Sequence, residues 1–283
     1  MNKLLIALIG SVLTFAATAE DQVDVKRSPE AKAEVDRRQA LIQTEINTLT
    51  NHPWAGEYYE GDGLGVNVTL FIAPESGYVF HWRGCLGLYD RNLGSVTVTN
   101  GQLRLSFTYP NKREGFQGLA EEFIPIHWGD RVYLVPANDI TGFCNDVNSG
   151  AEPRKEMHGR FLLRKRDEQK QVTGMPTVPP AYQPCLLQQP LTAEITKVGS
   201  TVTNTSRYNI EFKKTPVTIN AGRKNHLAVG MELYVTDPRA SVMTVDILQV
   251  GEQESEGQIT QSGKHYLEPQ TGWKLSTRAP WRR

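Results

Sequence analysis

GVNVTLFIAPESGYVFHWR, residues 65–83, decides the fold class. Two runs rich in β-branched and aromatic residues flank Pro74-Glu75-Ser76-Gly77, a turn signal. The same grammar recurs downstream in GSVTVTN (94–100), QLRLSFTYP (102–110), EEFIPIHW (121–128), DRVYLVP (130–136) and GRFLLRKR (159–166). Asn100-Gly101 between alternating runs is a hairpin signal, because both residue types tolerate positive φ. Seven or eight short strands between residues 54 and 166, with no interposed helix, predict an antiparallel barrel or sandwich.

Upstream the period changes. Ser28-Pro29-Glu30 reads as a helix start, with Ser as N-cap and Pro in the first turn, where its missing N–H costs nothing. The helix is expected over 28–50. Its large apolar residues, Leu41, Ile42, Ile46 and Leu49, crowd the C-terminal half, and they are expected to pack back on the chain's own domain. Residues 1–20, MNKLLIALIGSVLTFAATAE, read as a secretory signal. Lys3 supplies the charge, Leu4 to Phe15 the apolar run, and Ala17-Thr18-Ala19 the small-residue cleavage pattern. The expectation is removal of residues 1–19 and a periplasmic or secreted location, with no transmembrane segment in the mature chain.

Downstream, residues 167–190 carry Pro176, Pro179, Pro180, Pro184 and Pro190, and read as a proline-rich linker. Residues 191–278 then return to short alternating strands: TAEITKV, YNIEFKK, TPVTINAG, MELYVTDP, SVMTVDILQV and EGQITQS. Six strands suit a second, small SH3-like β-barrel. The expected fold is therefore mainly β, an antiparallel barrel or sandwich plus a small barrel, with one N-terminal helix.

Lys plus Arg equals Asp plus Glu at 31 each, so the whole chain offers no electrostatic case for nucleic acid. Chemistry-bearing residues are scattered. GFCNDVNSGAEPR (142–154) crowds Cys144, Asn145, Asp146, Asn148 and Glu152 together, but a calcium loop with Gly150 sixth would put Val147 at a ligand position. That stretch reads as a structured turn. No histidine pair has HxH or HExxH spacing, so no metal or cofactor is assigned. Two cysteines within one exported domain, Cys85 and Cys144, suggest a disulfide. Closing that loop of about 60 residues would stabilise by about 4 kcal/mol on the chain-entropy model. Cys185, in the linker, is the cysteine left over.

No catalytic residue is assigned. The sharp alternatives are a Cys144 nucleophile with His127 or His81 as base, and the acids of residues 57–62 in a hydrolase. WAGEYYEGDGLG (54–65) sets acids beside aromatics, a combination used in sugar-handling sites. Glu57, Tyr58, Asp62, Trp82 and Trp128 are accordingly the candidate ligand contacts. In strands His81 and His127 point opposite to the tryptophans that follow them. If both tryptophans face inward, both histidines should face solvent, and if not, the histidines should be buried.

Two resemblances follow from longer strings. WAGEYYEGDGLGVNVTLFIAPESGYVFHWRGCLGLYDRNLG and IHWGDRVYLVP…FCNDVNSGAEPR resemble a family of uncharacterised secreted bacterial proteins, which implies compartment and architecture only. VTINAGRKNHLAVGMELYVTD, VMTVDILQV, SEGQI and GWKLSTR are similar to the C-terminal barrel of the flagellar assembly protein T family, through Asn220, Gly222, Leu227, Gly230 and Met231. That likeness implies a small barrel used as a protein-interaction module. The functional expectation is a non-enzymatic exported protein with a binding or scaffolding role in the envelope and an envelope protein as partner. The alternative is a lipocalin-like binder of a small molecule or glycan.

Overall fold

The computed structural model describes residues 25–61, 63, 65–111, 118–151, 161–206, 209–237, 243–262 and 266–280. The signal-like residues 1–19 lie outside this set. The chain is mainly β, with two closed antiparallel barrels and an N-terminal helix. Among the described residues no helix is long and apolar enough to cross a membrane.

The first barrel is an up-and-down meander of β1 (Gly56–Gly61), β2 (Asn67–Ala73), β3 (Gly77–Gly84), β4 (Gly87–Thr99), β5 (Gln102–Phe107), β6 (Glu122–Trp128), β7 (Arg131–Pro136) and β8 (Leu162–Arg164). Every neighbouring pair is antiparallel, and β8 closes the ring on β1 through Tyr58 opposite Arg164 and Tyr59 opposite Leu163. Closure removes the free edges that a sandwich leaves. β1 is the strand that sequence reasoning read as an acid-rich segment.

Strand alternation sorts the side chains. Tyr58, Leu70, Ile72, Tyr78, Phe80, Leu103, Leu105, Phe123, Val132 and Leu134 fill the interior. One end is stoppered. Trp54 packs into this core, and the Tyr58 hydroxyl donates to the Trp54 carbonyl (2.6 Å). There Arg164 pairs with Asp167 (2.6 Å) and donates to the His52 carbonyl (3.0 Å).

α1 (Pro29–Thr48) begins as the sequence indicates, with the Ser28 hydroxyl accepting from the Ala31 amide. It lies on the outside of β2 and β3, where Val35 and Ile42 pack with Phe71, Ala73, Val79 and Leu93. Its apolar seam thus extends beyond the C-terminal half, while Leu41 stays exposed. The Glu45 carboxylate accepts from the Glu75 and Ser76 amides and ties the helix to the β2–β3 turn. Ahead of the helix, Lys26 and Asp90 form a buried ion pair (2.8 Å).

The stretch 142–154 corrects the reading of a structured turn. Ile140–Ser149 is a helix, α2, ended by Gly150 in the left-handed conformation (φ 81°). Ile140, Phe143 and Cys144 bury one face against Ile126, Trp128, Tyr133 and Val135 on the outside of β6 and β7. Asn145 and Asn148, taken as turn formers, are instead buried and spent on long-range contacts. Glu152 lies outside the described residues.

The proline-rich segment runs along the same outer face. Thr177 bridges to His127, Val178 is buried, and a short helical turn over Pro180–Cys185 meets α2. Arg131, fully buried, donates to the Lys170 and Glu168 carbonyls.

The second barrel comprises β9 (Thr192–Val198), β11 (Glu211–Ile219), β12 (Glu232–Val235), β13 (Thr244–Val250), β14 (Ser255–Ser262) and β15 (Lys274–Ser276), with β10 (Val202–Thr205) attached outside the ring. YNIEFKK and TPVTINAG, read as two strands, contribute a single one, Glu211–Ile219. Pro216 does not break β11, because the Pro216 carbonyl accepts from Gly199 on the side where β10 hands over to β9. The missing N–H therefore faces the gap between those two neighbours. β10 and β15 were not legible as strands.

The core of this barrel includes Ile195, Val217, Ile219, Leu227, Met231, Leu233, Val245, Ile247 and Ile259. Gly230 makes its turn at φ 84°, but Gly222 is extended. Gly222 is small for a different reason: a Cβ there would lie 2.5 Å from the Gly251 carbonyl oxygen.

Candidate functional site

Opposite the stoppered end, the described residues of the first barrel enclose an open cavity of about 600 Å³. Its inner surface is Phe80, Phe123, Leu134 and Leu162, and its wall includes Val68 and Trp82. These are inward positions of successive strands, so the period-two pattern that closes the barrel also makes the pocket apolar. Trp82 stands at the mouth and packs edge-on against Tyr89, with ring centroids 5.5 Å apart. The rim mixes Leu119, Ala120 and Phe161 with the polar Glu60, Asn138 and Asp139. Asn138 and Asp139 arrive from the link between β7 and α2.

An apolar chamber with a few polar groups at its opening is the form of a small-molecule site, and this volume falls in the usual range. The arrangement can desolvate an apolar body and satisfy a polar head at the mouth.

The five ligand contacts expected from sequence are not brought together. Trp82 alone among the described ones lines the cavity. Tyr58 points inward but is fully buried at the stoppered end. Glu57 points outward and pairs with Lys165 (2.8 Å). Trp128 is on the outer wall, where its indole N–H donates to the Gly174 carbonyl (2.8 Å) and its ring meets Phe143. Asp62 lies outside the described residues. Glu60, one of the acids noted with Glu57 and Asp62 but not among the expected contacts, and Phe80 and Phe123 belong to the cavity instead. For Glu60 and Phe80, parity with Tyr58 along β1 and with Trp82 along β3 was the available signal.

Protein-family models, curated proteins and solved structures were all compared with this chain, and none matches.

The cysteine pairing expected from sequence is corrected. Cys85 is exposed on the tight β3–β4 connection, whereas Cys144 is buried on α2 against the outer wall, and none of the three cysteines is bridged. Burial, aided by the neighbouring Cys185, pushes the Cys144 thiol up to about 12. At neutral pH it stays protonated, opposite to what a nucleophile needs. Neither proposed base suits it. His81 is buried under α1, where its Nε2 lies 3.2 Å from Gln39 Oε1, and the His127 side chain points away from the outer wall that carries Trp128 and Cys144.

The solvent-facing alternative is not realised at His81. Trp82 does face inward, but the outward side of β3 is covered by α1 rather than water. Burial first, then Arg83 and Arg91, lower the His81 pKa to about 4, against a smaller opposing effect of Asp36. Among the described residues its Nδ1 has no hydrogen-bond partner. Glu57 and Glu60 lie on opposite faces of β1, so they do not confront one another across a single site. Among the described residues no group of three or more His, Cys, Asp or Glu is placed to hold a metal ion.

Proposed function

We propose that this chain is a non-enzymatic exported protein, periplasmic or secreted, whose first barrel binds a small ligand with an apolar body and a polar head. The observation that carries the reading is the chamber of about 600 Å³ closed at one end and opened by Trp82 at the other. Phe80, Phe123 and Leu134 take the apolar body, and Glu60, Asn138 and Asp139 meet the head. The signal-like residues 1–19 support the compartment.

A thermal-shift comparison of a long-chain fatty acid, a fatty amine and a soluble cell-wall fragment tests the reading. Native-state binding must raise the melting temperature with concentration. A shift with a lipid-like probe supports it, and no shift with any of the three at millimolar concentration refutes it.

A second reading, docking to an envelope protein, draws on the second barrel. Among the described residues β10 pairs only with β11, and exposed Val202, Ile210, Val229 and Leu248 lie in this unit. An open strand edge is a natural place for strand addition. The likeness to the C-terminal barrel of the flagellar assembly protein T family supports the same idea. In vivo crosslinking from Thr203 should capture one defined envelope partner. Recovery equal to that from a site on α1 removes this reading.

A further inference from the structure

We propose that Cys144 and Cys185 are a disulfide-forming pair that ties α2 to the proline-rich segment. The inference stands apart from what the first barrel binds. Thr141, Cys144 and Asn148, spaced by three and four residues, share one face of α2. Cys185 is held over that face from both sides of Cys144. The Thr141 side chain lies beside its thiol, and its carbonyl accepts from Asn148 Nδ2 (2.8 Å). Asn148 Oδ1 also accepts from the Leu187 amide (2.9 Å), which fixes the segment just beyond Cys185. Both thiols are buried in one apolar cluster with Phe143, Phe161 and Val178.

The bridge has a structural consequence. The same helix holds the second barrel, because Asn145 Nδ2 donates to the Gly230 carbonyl (2.9 Å) and its Oδ1 accepts from the Glu232 amide (3.2 Å). A covalent link at Cys144 would therefore anchor the element through which the two barrels meet. The oxidant is a disulfide supplied by thiol–disulfide exchange. One S–S bond forms between Cys144 and Cys185, the two thiols give up two protons and two electrons, and the donor disulfide is reduced to two thiols. Burial keeps both thiols protonated in the folded chain, so closure belongs to the folding phase, before the cluster seals.

The test is a peptide map of the full chain refolded from urea with oxidised glutathione, capped with N-ethylmaleimide and digested without reductant. The expected result is one cross-linked pair of peptides containing Cys144 and Cys185, lighter by two hydrogens than the reduced peptides together, with the cap on Cys85. The same cross-link should form in a Cys85→Ser variant. Capping of both Cys144 and Cys185 after oxidative refolding overturns the proposal, as does a bridge from either to Cys85. Refolding under oxidant exposes all three thiols equally, so burial in the finished fold cannot mask the outcome.

Discussion

Trp82 and Trp128 stand on opposite sides of one barrel wall. Each follows a histidine in a strand, and the two dipeptides look alike in sequence. Trp82 faces the cavity and Trp128 faces α2 and the proline-rich segment. The two rings therefore have separable roles. One is placed to meet a ligand, and the other holds the outer layer to the barrel.

Replacing Trp128 tests the second role. Trp128→Ala removes the ring from the Phe143 cluster and strips the Gly174 carbonyl of its donor, at a cost of about 3–5 kcal/mol. Urea denaturation should show the loss. Trp82→Ala, at the cavity mouth, should cost far less stability and more affinity.

Acid should loosen α1. The His81 pKa is about 4 in the fold and near 6.5 in the unfolded chain, so between these values the unfolded chain binds the extra proton. Stability contributed by neutral His81 is complete above about pH 6.5 and is lost as pH falls towards 4, up to about 3 kcal/mol. The groups facing His81 are Asp36, Gln39, Arg83 and Arg91. Lowered carboxylates such as Asp36 and Glu45 lose their contribution at lower pH still. His81→Gln should flatten the stability profile across pH 4–6.5 relative to the parent. An unchanged slope removes His81 as the cause.

Asn145 couples the two barrels. Asn145→Ala deletes both its bonds, to the Gly230 carbonyl and the Glu232 amide, and should cost about 2–4 kcal/mol. Denaturation followed separately by signals from each barrel should change from one transition to two. Coincident transitions in the variant would show that other contacts carry the coupling.

The strands were legible because they alternate, as in NVTLFIA and GYVFHWRG. The N-terminal helix was legible because Ser28 and Pro29 mark its start. α2 was hidden by composition. Gly142, Asn145, Asp146, Asn148 and Ser149 are turn formers locally, and the helix is held by what it meets in the fold: Asn145 by the second barrel and Asn148 by Cys185 and Leu187. Tertiary contact overrides local preference there. The cavity was only half visible. Trp82 was found by its chemistry, whereas Trp128 and Glu57 needed the facing of each strand, which the position of a barrel's interior decides. Cys85 and Cys144 share a domain in sequence, yet one sits on an exposed strand turn and the other is buried beneath the outer layer.

The central claim is that the mouth at Trp82 leads to a ligand chamber. The most direct measurement is a fluorescence titration of anilinonaphthalene sulfonate onto the native chain, beside Ala120→Trp, which fills the rim, and Trp128→Phe, which lies outside it. Circular dichroism confirms that each variant is folded. The account predicts saturable, one-to-one binding to the parent and to Trp128→Phe, weakened at least about tenfold by Ala120→Trp, a loss of about 1.4 kcal/mol. Equal binding to the parent and Ala120→Trp would contradict it.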